Sequence, residues 1–143
     1  MRTSRHALPW LATGLLLTLL GTSGCERGAA AVGSVRGKVL FNGQPAEGAT
    51  VVFHPAGSSE PGTLKPSGTV GADGTFTLTT FPHGDGAPAG EYAVAVTWLP
   101  PDARGMDNPK NKLPARYADP AQSGLKATVA AGPNELKPFE LTK

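Results

Sequence analysis

The sequence predicts an all-β protein, a single β-sandwich of six or seven short strands. Three observations carry this expectation. Apolar and β-branched residues alternate with period two over short runs, the mark of strands with one buried face. Glycine (19) and proline (14) punctuate the 143 residues and argue against long helices. The runs also recur at the spacing expected of strands joined by turns.

In chain order, "SVRGKVLF" places Val35, Gly37, Val39 and Phe41 on one side and Arg36 and Lys38 on the other. Asn42-Gly43 then supplies residues that tolerate positive φ. "GATVVFHP" puts Ala49, Val51 and Phe53 in phase, and a polar loop follows over 55–66. The Asp73-Gly74 turn predicts a hairpin between 67–71 and 75–80, with Phe76 and Leu78 facing inward. "GEYAVAVTW" aligns Tyr92, Val94, Val96 and Trp98, "LKATVA" aligns Leu125, Ala127 and Val129, and "KPFEL" offers Phe139 and Leu141. Residues 100–124, rich in proline and charge, form a connection longer than compact domains usually carry. A crossover between the two sheets pinned by Leu113 and Tyr117 is the expectation; a binding loop is the alternative.

The start of the chain reads differently. Arg2 and Arg5 precede a stretch, 7–24, without charge. Its strongly apolar part, 11–20, is shorter than the ~20 residues a spanning helix needs. A basic start, a short apolar block and small residues before a cleavage point describe an export signal over 1–24. The single cysteine, Cys25, follows Ser23 and Gly24 as in a bacterial lipobox, although Thr22 stands at the usual aliphatic position. Cleavage between Gly24 and Cys25 with lipidation (palmitate) of Cys25 is therefore expected, the acyl chains contributing ~0.8 kcal/mol per buried CH₂. The alternative is a lone exported thiol without a role. Residues 25–33 read as a flexible tether and 34–143 as the folded domain. The expected location is the bacterial cell envelope, with the protein membrane-anchored and facing the periplasm or the cell surface.

The signal takes two of the 13 Lys+Arg with it, leaving 11 against 11 Asp+Glu. No basic cluster remains to release phosphate counterions, so nucleic acid is disfavoured as a partner. One cysteine allows no internal disulfide and no Cys-rich zinc site. His6, His54 and His83 show no H-x-H or H-E-x-x-H spacing, so no metal or cofactor is expected. His83 and Asp85 could form half of a weak site for a small hydrolase, but an exposed polar loop explains them better. No serine lies in a G-x-S-x-G elbow, and Asp73 is expected to bond its own turn. The reading is non-enzymatic: a structural or protein-interaction module, with an envelope carbohydrate-binding module as the alternative. For the latter, Trp98 and Tyr117 are the candidate ligand-binding residues. Tyr92 and Trp98 share parity with core valines, and Trp98, bordering the 100–124 connection, is the more exposed of the two. The partner would be the membrane through the anchor, together with an envelope protein or polysaccharide.

The stretch "SVRGKVLFNGQPAEGATVVFHP" resembles the carboxypeptidase regulatory-like, or transthyretin-like, domains. Their pattern is matched by Gly37, Val39, Gly43, Pro45, Gly48, Ala49 and Val51. "ADGTFTL" and "PAGEYAVAV" are similar to later strands of that family, and the tail from Leu113 to Leu141 is similar to the ending of small exported planctomycete-type lipoproteins. The resemblance implies a seven-stranded, Greek-key, prealbumin-like sandwich and a non-catalytic accessory role. It transfers no catalytic residue.

Overall fold

The computed structural model describes residues 31–58, 60, 62–81 and 85–143. The expected signal, Gly24, Cys25 and most of the expected tether lie outside them. Eleven strands follow in order: β1 (Val32–Gly33), β2 (Val35–Phe41), β3 (Gln44–Pro45), β4 (Thr50–Pro55), β5 (Ser67–Thr69), β6 (Thr75–Thr77), β7 (Ala87–Pro88), β8 (Gly90–Thr97), β9 (Lys126–Val129), β10 (Asn134–Glu135) and β11 (Phe139–Leu141). Among the described residues the helical content is one 3₁₀ turn, Ala115–Ala118. The fold is an all-β sandwich, and each run read from the sequence coincides with one of these strands.

The first sheet is built on β2. Its even-numbered residues turn their backbone groups toward β10 and β11, which run parallel to it: Leu136 N donates to Arg36 O at 2.8 Å. Its odd-numbered residues face β6 and β3, which are antiparallel: Leu78 N donates to Val35 O at 3.0 Å and Ala46 N to Val39 O at 3.2 Å. The second sheet is antiparallel throughout, in the order β5-β4-β8-β9. A short ribbon, β1 with β7, pairs Val32 with Pro88 and Gly33 with Ala87. Strand pairing thus starts at Val32, just ahead of the expected domain boundary.

Two connections differ from expectation. The 67–71 and 75–80 hairpin keeps its turn, with Gly71 N donating to Thr75 O at 2.7 Å, and a bridge between Ser67 and Thr79. Between those two points β5 pairs with β4 and β6 with β2, so the hairpin opens into a corner that joins the sheets. Phe76 and Leu78 are buried on this strand, as their alternation indicates. The long connection is not a crossover either. It leaves β8 and returns to β9, its antiparallel neighbour in the same sheet. The predicted pins hold nonetheless, since Leu113 and Tyr117 are both buried.

The core follows the period-two reading. Val35, Val39, Ala49, Val51, Phe53, Val94 and Val96 have no exposed surface. Its centre is aromatic. Phe76 on β6 and Phe139 on β11 flank β2 and stack across it, with centroids 6.2 Å apart and planes at 12°. They meet there because Gly37, between them, has no side chain: a Cβ at Gly37 would lie 2.5 Å from Phe76 Cζ. Phe53, from the second sheet, packs on both at 6.3 Å and on Tyr92 at 5.5 Å. Such pairs add about 0.5–1.5 kcal/mol each beyond their area burial.

Two substitutions test this packing. Gly37→Ala is expected to destabilise by about 1–3 kcal/mol in urea unfolding, because its Cβ would fall 2.5 Å from Phe76 Cζ and force the ring out of its packing on Phe53 and Phe139. Gly71→Ala, whose Cβ would meet only ordinary contacts from 3.4 Å outward, serves as the mild comparison. Phe53→Ala is expected to cost about 3–5 kcal/mol.

Candidate functional site

Beyond Ala93, β8 has no strand on its outer side, and the 98–125 connection takes that place. Asn111 Oδ1 accepts hydrogen bonds from Trp98 N (2.9 Å) and Leu113 N (3.1 Å). Lys112 N donates to Trp98 O at 2.8 Å. Further along, the buried Ser123 hydroxyl donates to Val94 O at 2.6 Å. Val94, whose N–H also donates to Leu125 O at 2.9 Å, and Trp98, just past β8, thereby find backbone partners without a neighbouring strand.

This covering positions Trp98. Its indole N–H donates to Glu47 O at 2.8 Å, Phe41 meets its ring edge-on at 6.1 Å, and the Lys112 ammonium lies 4.8 Å over the ring. Trp98 is half-buried, as its parity and its place beside the connection suggested. It borders a hollow of about 310 Å³ with Glu47, Pro100, Pro101, Arg104 and Lys112 on its walls. Leu99 (41%) and Met106 (44%) are exposed in the same connection.

Tyr117, the other candidate, does not join Trp98 in one site. It is buried, and its hydroxyl accepts hydrogen bonds from Thr142 N (3.0 Å) and Arg116 (3.1 Å). Arg116 also donates to Thr142 O at 2.8 Å and lies 4.6 Å over the Tyr117 ring. Burial pushes this hydroxyl's pKa up, but the hydrogen bonds from Thr142 and Arg116 outweigh it and leave it below the usual tyrosine range. The arrangement fastens the end of β11, in the first sheet, to the connection that edges the second. Asn111, Arg116 and Ser123 were missed by sequence reasoning, because in a polar loop nothing periodic separates a structural hydrogen bonder from a solvated one.

The remaining candidates have structural partners or lie elsewhere. Asp73 Oδ1 accepts from Thr75 N (3.0 Å) and Thr75 Oγ1 (2.7 Å), closing its own turn, and these bonds lower its pKa. Asp85 accepts from Thr80 N and Phe81 N, and His83 lies outside the described residues. His54 borders a hollow of about 490 Å³ with Lys65, Glu60, Pro120 and Ala121. Partial burial, and after it the Lys65 charge, hold its pKa below the usual histidine value, with Asp119 pulling the other way. Among the described residues no group of His, Cys, Asp and Glu side chains could hold a metal ion. No described helix is long and apolar enough to cross a membrane.

No protein-family model and no curated protein matches this chain. Among solved structures it is similar to a DUF3823 family protein from Parabacteroides merdae, at 19% identity and a TM-score of 0.41, over 79% of this chain and 47% of that one. It is also similar to part of a 9R-lipoxygenase from Cyanothece, at 12% identity and TM-score 0.43, over 78% of this chain and 16% of that one. A candidate carbohydrate-binding protein from Pseudomonas aeruginosa aligns at 13% identity and TM-score 0.42, over 80% of this chain and 90% of that one. The chain thus spans less than half the length of the first two. Likenesses this distant do not bear on function.

Two outcomes check the site's geometry. Asn111→Ala strands the donors of Trp98 and Leu113 and is expected to cost about 1–3 kcal/mol. It should also shift the emission of Trp98 to the red as the indole is released. For His54, the unfolded chain binds more protons than the folded one once pH falls below about 6.5. Stability is therefore full above that value and declines as pH falls toward the depressed folded pKa. The urea midpoint should drop from about pH 7 to about pH 5, and His54→Gln should remove that component of the drop.

Proposed function

We propose that this chain is an exported, non-catalytic β-sandwich anchored to a bacterial envelope membrane through acylated Cys25, where it presents one end of the sandwich to an envelope partner. The observation that carries this reading is the placement of two features at opposite ends. The described chain begins at the end where β1 pairs with β7 and β8 starts. The long β8–β9 connection, with Trp98, Leu99 and Met106, leaves from the far end of β8. β8 runs for 8 residues between them, roughly 25 Å at ~3.3 Å per residue. An anchor at Cys25 would hold the first end near the membrane and leave the second free. The carboxypeptidase regulatory-like kinship belongs to the same proposal, and the stacking of Phe76 over Gly37 gives one of its motif glycines a packing reason.

The carbohydrate-binding reading is the second one, favoured by the hollow beside Trp98. The Lys112 ammonium covers one indole face, so a sugar stacking there would have to displace it or use the other face. The protein-partner reading therefore stands first.

Metabolic labelling with a fatty-acid analogue tests the anchor. Wild-type protein is expected to carry label and to pellet with membranes, and Cys25→Ala to lose both; unlabelled wild type would refute the anchor. A glycan array separates the two partner readings: binding abolished by Trp98→Ala would favour the carbohydrate module.

A further inference from the structure

The end at which the described chain begins also carries two exposed apolar side chains, Phe81 and Leu64, each 43% exposed. Both project from one corner. The Ser67–Thr79 bridge closes β5 against β6 there; Leu64 lies three residues before Ser67, and Phe81 two residues after Thr79. The corner adjoins the start of the chain. Thr80 Oγ1 donates to Gly86 O at 2.6 Å, and Gly86 N donates to Leu78 O at 3.0 Å. Gly86 packs so closely on Gly33, in β1, that a side chain on it would collide with the Gly33 carbonyl. The chain segments that carry Val32, Gly86, Phe81 and Leu64 thus lie at one end of the sandwich, its rim. The backbone N–H of Phe81 donates to the Asp85 carboxylate at 3.0 Å.

The length of chain ahead of this rim says what lies beside it. From Cys25 to Ala31 is about six residues, which even fully extended span no more than ~22 Å. A lipid on Cys25 therefore keeps the rim within reach of the headgroups, whatever path those residues take. We propose that the Leu64–Phe81 corner docks on the lipid bilayer beside the anchor and inserts both side chains into its interface. This rests on the anchor reading given above. The partner is a zwitterionic or neutral lipid surface rather than an anionic one. Lys65 beside Leu64 and Arg36 near the start of β2 are cations at this end, whereas Glu60, Asp85, Glu91 and Glu135 lie at the same end and outnumber them. Apolar insertion, not charge, is the attraction, and the two side chains assist an anchor rather than replace one. Docked this way, the sandwich holds its Trp98 end away from the membrane.

The test uses mature protein purified from membranes, its acylation read by mass, and reconstituted into phosphatidylcholine vesicles with or without brominated acyl chains. Trp98 is the one tryptophan outside the signal and sits at the far end, so it reports from there. Phe81→Trp and Leu64→Trp each add a reporter at the rim. Interfacial side chains lie ~5–10 Å into the headgroup and acyl boundary, so the added emission should fall about two-fold or more on bromination while wild-type emission stays constant. Raising salt should leave the quenching unchanged. Quenching of neither variant beyond wild type would overturn the proposal, as would quenching that needs anionic lipid and disappears in salt. If the mass shows no acyl group, the anchor reading has failed by itself. The protein is then coupled through the Cys25 thiol to a maleimide-headgroup lipid and the same quenching is measured, which decides the rim independently.

Discussion

The stacking of Phe76 and Phe139 across the bare backbone of Gly37 is the contact on which the rest of the sandwich depends. The two rings come from strands on opposite sides of β2, one parallel and one antiparallel to it. Their meeting locks three strands into one sheet at a single register. It also makes a flat aromatic floor on which Phe53 from the other sheet can sit. A side chain at Gly37 would push on the Phe76 ring, which packs on both Phe139 and Phe53. Interiors packed at crystal-like density transmit such a change instead of absorbing it. Tyr92 completes the cluster and still satisfies its hydroxyl, which donates to Pro88 O at 2.7 Å.

A sandwich with a well-filled centre still has edges to protect. β9 is short and begins with Lys126, two devices that discourage further pairing. The upper part of β8 is protected differently, by a connection whose side chains imitate a neighbouring strand: Asn111 and Ser123 supply the acceptor and donor that a ladder would have supplied. The same connection sends Arg116 and Tyr117 to the end of β11 and ties the two sheets at the mouth of the core. This explains why Trp98 and Tyr117, paired as ligand-binding candidates in the sequence reading, have separate structural duties. Trp98 retains one side toward a hollow; Tyr117 is committed to the fold.

The division of labour along the molecule follows from strand direction. Because β2 and β8 both start at the end where β1 pairs with β7, one end of the sandwich gathers the start of the described chain, the Ser67–Thr79 corner and the β9–β10 turn. The other gathers the Asn42-Gly43 turn, Glu47, Trp98 and the first part of the long connection, whose later residues Pro120 and Ala121 run back to the hollow beside His54. Their apolar exposure differs in kind. Phe81 and Leu64 stand beside strand pairing and fixed hydrogen bonds, whereas Leu99 and Met106 belong to an irregular connection. An apolar rim at one end and an elaborated loop starting at the other suit a module held at its base and read at its tip.

The sequence by itself determined the longer strands and their buried faces, because alternation is a local property: residues two apart share a face whatever the rest of the chain does. The two-residue pairings β1, β3, β7 and β10 are too short to show a period, and β1 falls inside the stretch read as a tether. It also singled out the Asp73 turn, whose hydrogen bonds span two residues. Tertiary structure alone decided which strands pair. That choice made the 67–80 hairpin a corner between sheets, set β10 and β11 parallel to β2, and returned the 100–124 connection to its own sheet. It also decided the roles of Asn111, Arg116 and Ser123, and the gathering of Leu64, Phe81 and β1 at one corner. Pairing and clustering depend on partners far apart in the chain, such as Arg116 with Thr142 and Trp98 with Glu47. No period in a single strand encodes where the next strand will lie.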